Sequence, residues 1–429
     1  MDARATHNER FDGHGLWGIT APPEKGLGPL RDDLVAHVVI IGAGYTGLST
    51  ALHLQENAVS AVVLEANHVG YGGSGRNVGL VNAGMWVMPD IVLARLGGNY
   101  GNRLMDMLGQ APGLVFSLIE KHSIQCEAIR AGTLHCAVGK SGLAQLQERA
   151  RQWQARAAPV ELLSESETNA RVGSSAYCAS LFDQRAGTVQ PLAYARGLAA
   201  AASLKGARIY VDSPALSAEP TDRGWVVKSH AGSVRADWVV VATDAYARGP
   251  WDVVRREQVH LPYFNFATQP LEQSVRESIL PRGEGAWDTE QVLSSFRLDA
   301  AGRLVFGSVG SLRGFSGRVH ERWALKAVRR IFPQLGQASF ATGWFGNIGM
   351  TDDNLPRFHV FAPQVIGVNG YNGRGIAPGT IFGRVLADFV LGRLREQDLP
   401  LPISAPRGQA LRSLKEAVYR YGSEALHFL

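Results

Sequence analysis

Cysteine is scarce in this chain. Its three cysteines among 429 residues, Cys126, Cys136 and Cys178, are odd in number and lack metal-ligand spacing. A disulfide framework and a thiolate metal site are therefore not expected, and a reducing cytoplasm fits. Long apolar runs are missing as well: none approaches the ~20 residues of a membrane-spanning helix. The opening MDARATHNERFDG has no apolar signal-peptide core, so a cytoplasmic chain without a transmembrane segment is expected. Charge is balanced, 43 basic residues against 38 acidic for a net +5. The basic side chains are scattered or in short pairs such as Arg255-Arg256 and Arg329-Arg330, which argues against a nucleic-acid partner and leaves at most an attraction for anionic ligands. The twelve histidines form no triad or metal pattern, and internal repeats and low-complexity segments are lacking. The length exceeds one simple core, so two packed domains or one large composite is expected.

What the chain does have is glycine, placed where chains approach anions. LVAHVVII (34–41) reads as a buried parallel strand, GAGYTG follows, LSTALHLQEN has helical periodicity, and SAVVLEA is a second strand ending at Glu65. In such a βαβ unit Gly42 permits the tight turn, Gly44 lets the backbone approach a pyrophosphate, and Gly47 lets helix lie on strand. Tyr45 and Thr46 open the helix, and Glu65, with Ala66 beside it, is placed to bind ribose hydroxyls. The second formal match, Gly70 to Gly75, starts five residues after Glu65 and leaves no room for another such unit. The glycine-rich GYGGSGRNVGLVNAG (70–84) would run beside a long, flat, multiply polar ligand such as the rest of FAD, rather than serve a nicotinamide enzyme. Arg76 and Asn77 are either part of that contact or a surface turn.

Residues 1–33 read as an arm on the surface, with Trp17 an isolated apolar anchor. Helices are expected over 104–122, 142–157, 192–204, 319–332 and 407–421, and WVVKSH with VRADWVVVAT as antiparallel strands. Text rich in strands fills 251–340. The nucleotide-binding pattern then returns: IGVNGYNGRGIAPGTIFG (366–383) is a strand, a glycine turn and a helix starting near Pro378. The expected division is an arm (1–33), a discontinuous cofactor domain (34–95, 180–250, 341–398), a substrate domain (96–179, 251–340), and a Pro-rich linker with a last helix (399–429).

APPEKGLGPL, VVIIGAGYTGLSTALHL, VVLEANHVGYGGSGRN and VNGYNGRGIAPGTIFGRVLADFVLG together resemble the D-amino-acid oxidase/glycine oxidase superfamily of flavoproteins, nearest its γ-glutamylputrescine oxidoreductase-like and L-pipecolate oxidase-like branch. Val189-Gln190-Pro191, ADWVVVATDAY, FATQPL and RLVFGS extend the resemblance over nearly the whole chain. It implies an α/β fold, with a glutathione-reductase-like FAD-binding Rossmann domain and a β-sheet-rich substrate domain. It implies cofactor contacts at Gly73, Ser74, Arg76, Asn77, Val78, Gly79, Leu80, Ala215, Ala242, Thr243, Gly373, Arg374, Gly375 and Ile376. Three departures stand out. Val78 replaces the first of two final glycines in the family's SGRNGG, and Arg374 replaces a histidine of the putrescine-type branch. Asn77 stands where some relatives attach flavin through histidine; no cysteine follows Cys178, so non-covalent FAD is implied.

A helix N-terminus carries roughly half a positive charge and suits the negative edge of reduced flavin, which places Gly375, Ile376 and the following backbone against it. The candidate substrate-site residues are Arg374, Tyr371, Trp344, Asn347 and Tyr263. Arg374 has the fork that matches a carboxylate, or it braces the flavin, or it points to solvent. The expected reaction is oxidation of the C–N bond of a secondary amine or amino acid, hydride passing to flavin N5 to give an imine. An L-pipecolate-like cyclic amino acid is favoured over a γ-glutamylated polyamine, with oxygen or an electron carrier as acceptor. A non-catalytic flavoprotein subunit of a larger dehydrogenase is the remaining alternative.

Overall fold

A computed structural model describes residues 13–24, 26–314 and 316–428. Strand Asp33–Ile41 is β-branched and buried from Val38 onward, and it sits at the centre of a nine-stranded sheet. Ser233–Val241 and Ala61–Leu64 flank it in parallel, Val39 standing opposite Val239 on one side and Val62 on the other. Val365–Asn369 and Arg208–Tyr210 extend the parallel set outward. Helices Tyr45–Gln55, Pro191–Leu204 and Ile376–Val390 carry mostly buried residues, as crossovers of a sheet enclosed on both faces must. The hairpin Ser217–Thr221/Gly224–Lys228 joins Ser233–Val241 antiparallel, as the alternating text implies.

An eight-stranded sheet forms the second layer. Its order is Phe340–Met350, Val259–Thr268, Leu304–Val309, Ser294–Leu298, Gly285–Asp288, Thr133–Ala137, Ala179–Asp183, Val160–Leu163. The expected boundaries at 180 and 341 do not follow this pairing. Ala179–Asp183 and Phe340–Met350 both belong to the eight-stranded sheet, the latter paired along its length with Val259–Thr268. The Pro-rich linker also holds a short strand, Ile403–Ser404, parallel to Arg357–Ala362. Periodicity shows that a strand exists, not which sheet it joins.

The expected surface arm is corrected at Leu16–Ala21, whereas Pro22, Pro23, Gly26, Pro29, Arg31 and Asp32 are exposed; residues 1–12 and 25 lie outside the described ones. Leu16–Thr20 is a helical turn that inserts Leu16 and Trp17 into the core. Trp17 is 0% exposed, meets Trp344 edge-to-face with ring centroids 5.3 Å apart, and donates its indole N–H to the Asn77 carbonyl at 2.9 Å. An isolated tryptophan in polar text looks like a loose anchor, but its partners come from positions 77 and 344. Among the described residues no helix is long and apolar enough to cross a membrane.

Trp17→Ala is expected to cost about 3–5 kcal/mol, the usual range for emptying a buried aromatic site. Urea unfolding checks this; an unchanged midpoint would mean the turn is not an integral part of the core.

Candidate active site

The first glycine turn is shaped by contact. Gly42 has φ 106°, and a Cβ there would stand 2.8 Å from the Ala242 carbonyl oxygen. At Gly47 a Cβ would lie 2.0 Å from the Gly42 carbonyl, so helix and strand approach as only glycine allows. Helix Tyr45–Gln55 starts from Gly44 with no side-chain cap. The Tyr45 N–H donates to Ser74 Oγ at 3.2 Å, and the rest of this first turn borders a groove lined by Gly42, Gly44, Tyr45 and Thr46. Glu65 lines the same groove. Its carboxylate accepts from the N–H of Ala43 at 2.8 Å and of Asn67 at 3.0 Å. Burial pushes its pKa up, and those N–H groups oppose the shift.

The groove encloses about 1650 Å³, part of it open to solvent, and runs past Ala66, Gly73, Ser74, Asn77, Ala215, Ala242 and Thr243 to Tyr371, Gly373 and Gly375. The Thr243 hydroxyl is buried beside it without a protein partner. At its far end helix Ile376–Val390 begins, two residues before the expected Pro378, from Gly375 with no side-chain cap. The ends of the groove are thus a carboxylate suited to hydroxyls and a bare helix terminus suited to negative charge. These features fit a dinucleotide with an extended ring system.

A second space of about 1020 Å³, also partly open, shares Gly73, Asn77, Asn347, Ile348, Asn372, Gly373 and Gly375 with the groove. The eight-stranded sheet gives it Leu261, Tyr263, Trp287, Ser295 and Val309, with Leu293 just before strand Ser294–Leu298; the segment after the glycines gives Val78, Leu80, Asn82 and Trp86. Tyr263 Oη and Ser295 Oγ share a 2.6 Å hydrogen bond. Arg374 completes the wall. Its Nη1 donates to the Ala83 carbonyl at 2.7 Å, and its guanidinium carbon lies 5.4 Å from the centre of the Trp287 ring. Trp287 stacks in turn on His135, centroids 4.8 Å apart. Burial, and after it the charge of Arg149, pull the Arg374 pKa below the ordinary arginine value. Asp183, whose charge opposes that shift, is engaged by Arg185 at 2.7 Å.

Among the expected substrate-site residues the cavity gathers Arg374, Tyr263 and Asn347, and it also takes in Arg76 and Ile376 from the expected cofactor contacts. Two expectations are corrected. Trp344 is fully buried core, its indole N–H donating to the Arg76 carbonyl at 3.1 Å. Tyr371 lines only the groove, its hydroxyl 2.7 Å from Thr46 Oγ1. Gly47 and Gly79 line neither space: Gly47 serves the helix–strand contact, and Gly79 accommodates φ 92° against the Val189 carbonyl. Arg76 and Asn77 are not a surface turn. Arg76 donates to the carbonyls of Gly13, Tyr71 and Phe345, while Asn77 donates to Gly73 and accepts from Gly79. Asp352 and Asp353 pair with Arg357, and Asp353 also accepts from the Leu355 N–H at 3.0 Å. His260 lies near Glu416 at 3.9 Å and lines neither space. Sequence reading missed Trp86 and Trp287; neither sits in a pattern that distinguishes a cavity wall from core.

The family model described as DAO, FAD dependent oxidoreductase, matches residues 37–389. The chain belongs to that family. It is an FAD-dependent oxidoreductase with a Rossmann-type cofactor fold. Its relatives include a probable oxidoreductase OrdL of Haemophilus influenzae, 29% identical over 94% of this chain and 93% of that protein. A γ-glutamylputrescine oxidoreductase of Escherichia coli K12 is 30% identical over 85% of each. The solved glycine oxidase of Geobacillus kaustophilus superimposes with TM-score 0.71 at 18% identity, covering 87% of this chain and 100% of that one. L-proline dehydrogenase of P. horikoshii follows at 0.69 and 16%, covering 86% and 96%. These last two likenesses show the fold.

Glu65→Gln is expected to lower FAD affinity about tenfold or more, since a hydrogen bond to a charged group contributes ~1.5–3 kcal/mol. The ratio of flavin to protein absorbance after dialysis measures it, and an unchanged ratio would remove Glu65 from the adenosine end. Behind Trp287, Asp288 accepts from the N–H of Ser294 at 3.0 Å, yet burial pushes its pKa from 3.8 up to about 7. A carboxyl raised on folding adds stability below its unfolded pKa that is lost as pH rises through the folded one. Asp288→Asn should therefore stabilise the protein at about pH 8 relative to wild type, and much less at about pH 4. Equal urea midpoints for the two proteins at both pH values would contradict this.

Proposed function

We propose that this chain oxidises the C–N bond of a small secondary amine or amino acid that bears a carboxylate, an L-pipecolate-like cyclic amino acid fitting best. The observation that carries this reading is Arg374, a guanidinium at the wall of a largely apolar cavity, held by one carbonyl and one aromatic face and paired with no carboxylate of the described residues. A substrate carboxylate would complete it bidentately. The aliphatic and aromatic walls from Leu261, Trp287, Leu293 and Val309 would then hold the carbon skeleton and exclude water.

When bound, FAD supplies the two-electron acceptor for the hydride leaving the carbon beside nitrogen. The titratable side chains lining the cavity are Arg76, Tyr263 and Arg374, and burial pushes the tyrosine's pKa further up. None is a general base at neutral pH. The substrate amine must therefore enter the reaction neutral, its lone pair forming the C=N bond of the imine that water hydrolyses. The uncapped helix start at Gly375 favours negative charge at the shared end of groove and cavity. The lining of both spaces includes neither cysteine nor histidine, which supports non-covalent FAD. The free thiols of Cys126, Cys136 and Cys178 support a cytoplasmic setting.

The 30% identity to γ-glutamylputrescine oxidoreductase favours a second reading. That substrate also bears a carboxylate, but far along the chain from the oxidised carbon. Anaerobic titration of the flavin band separates the two: bleaching by L-pipecolate and its cyclic relatives supports the first, and bleaching by γ-glutamylputrescine alone supports the second. A yellow protein that neither class bleaches would point to a flavoprotein subunit instead. Arg374→Ala should raise KM for carboxylate substrates about 10–100-fold and leave flavin content intact, given ~1.5–3 kcal/mol for a charged hydrogen bond. Equal loss on the acid and on its uncharged amide would sink the carboxylate role.

A further inference from the structure

Large apolar side chains are exposed unevenly. Of the thirteen exposed ones among the described residues, seven fall between Leu411 and Phe428. Helix Arg412–Phe428 has its other face fixed. His427 stacks on Trp323 with centroids 3.8 Å apart and meets His320, Ser316 donates to Glu424, Arg412 donates to the Gln258 carbonyl at 2.8 Å, and Glu416 accepts from the His260 N–H at 3.1 Å. The outward face repeats every three and four residues: Leu414 is 59% exposed, Val418 59%, Tyr421 62% and Phe428 77%, with exposed Ala425 completing the row. That is the spacing of a helix seam that needs a second helix.

We propose that two copies of this chain associate through this face, the C-terminal helices lying antiparallel about a two-fold axis between Val418 and Tyr421. The row is self-complementary in that register. Val418 meets Tyr421 of the second copy, Leu414 meets Ala425, and Leu411 meets Phe428, each contact occurring twice as an isologous interface requires. Tyr421 and Phe428 together expose roughly 300 Å², and complete burial of the row, Leu411, Leu414, Val418 and Ala425 included, sets an upper bound of roughly 700 Å² per chain. Two facing copies would bury at most about 1,400 Å², which reaches the ~1,200–2,000 Å² of a stable interface. The helix is already ordered by its inner contacts, so pairing would cost little additional conformational entropy.

The test is the solution mass of the full-length, FAD-loaded protein by analytical ultracentrifugation. Wild type is expected at twice 46.3 kDa, and Val418→Glu and Tyr421→Lys each at the single-chain mass with unchanged flavin absorbance. Mixing those two variants should restore the dimer, because the register sets the new Glu against the new Lys. A wild-type protein that stays monomeric at about 50 µM, a concentration that populates any interface with a micromolar Kd, would overturn the proposal. So would variants that remain dimeric, mixing without rescue, or a monomer that pellets with anionic vesicles.

Discussion

The close contact between helices Tyr45–Gln55 and Ile376–Val390 holds the cofactor side of the molecule together. A Cβ at Gly383 would stand 2.5 Å from the Ser49 Cβ and 2.6 Å from the Thr46 carbonyl oxygen. At that distance three hydroxyls find partners across the interface: Ser49 donates to the Thr380 carbonyl at 2.7 Å, Thr50 to Gly383 at 3.1 Å, and Thr46 Oγ1 lies 2.7 Å from the Tyr371 hydroxyl. Two glycine-rich turns more than three hundred residues apart thereby become neighbours. Each opens a helix without a side-chain cap, and both starts border one groove. Two partial positive charges on the same groove favour a ligand with negative charge at two points along its length. A pyrophosphate and a reducible ring meet that description.

The second sheet depends on that arrangement for its role. Arg76, fixed by the carbonyls of Gly13, Tyr71 and Phe345, ties the glycine segment to strand Phe340–Met350. Asn265 and Trp344 both donate to the Arg76 carbonyl, and Trp17 reaches the next one, Asn77. The main chain beside the groove is thus held from the second sheet and from the N-terminal turn. The cavity lies where these supports meet, so its shape is set by backbone hydrogen bonds more than by any single side chain.

Local chemistry explains what was legible in the sequence. Gly42, Gly44, Gly47 and Glu65 could be read because a pyrophosphate loop constrains consecutive residues. The helix at 165–172 was overlooked although Ser164 and Glu167 form a capping box and Gly173 ends it at φ 77°; its marks are local but its apolar stripe is short. What could not be read depended on distant partners. Trp17 looked like an anchor on a loose arm because Trp344 is over three hundred positions away. Trp344 and Tyr371 were drawn toward the substrate by adjacency to Asn347 and Arg374, yet side chains alternate across a strand and diverge around a glycine turn. Trp287 and Trp86 were missed for the converse reason: nothing near them marks a cavity.

The remaining question is why an arginine sits in this wall at all. An unpaired cation removed from water is strongly unfavourable unless hydrogen bonds or a counter-charge offset it. Arg374 has one carbonyl and the face of Trp287, with His135 behind the indole, and its charged neighbours include Arg149 and Arg185. That is partial compensation, and a folded protein gains nothing from it in the absence of a ligand. Replacing it by an apolar residue would suit the rest of the lining better. Under the proposed function, an anion arriving from solvent would supply the missing counter-charge, and the cation's incomplete shell would become binding energy directed at one end of the substrate. With no side-chain base lining the cavity to choose among amines by proton transfer, selection in the proposed reaction would rest on position: the carboxylate would fix one end, the apolar walls the skeleton, and the carbon beside nitrogen would be presented where cavity and groove join.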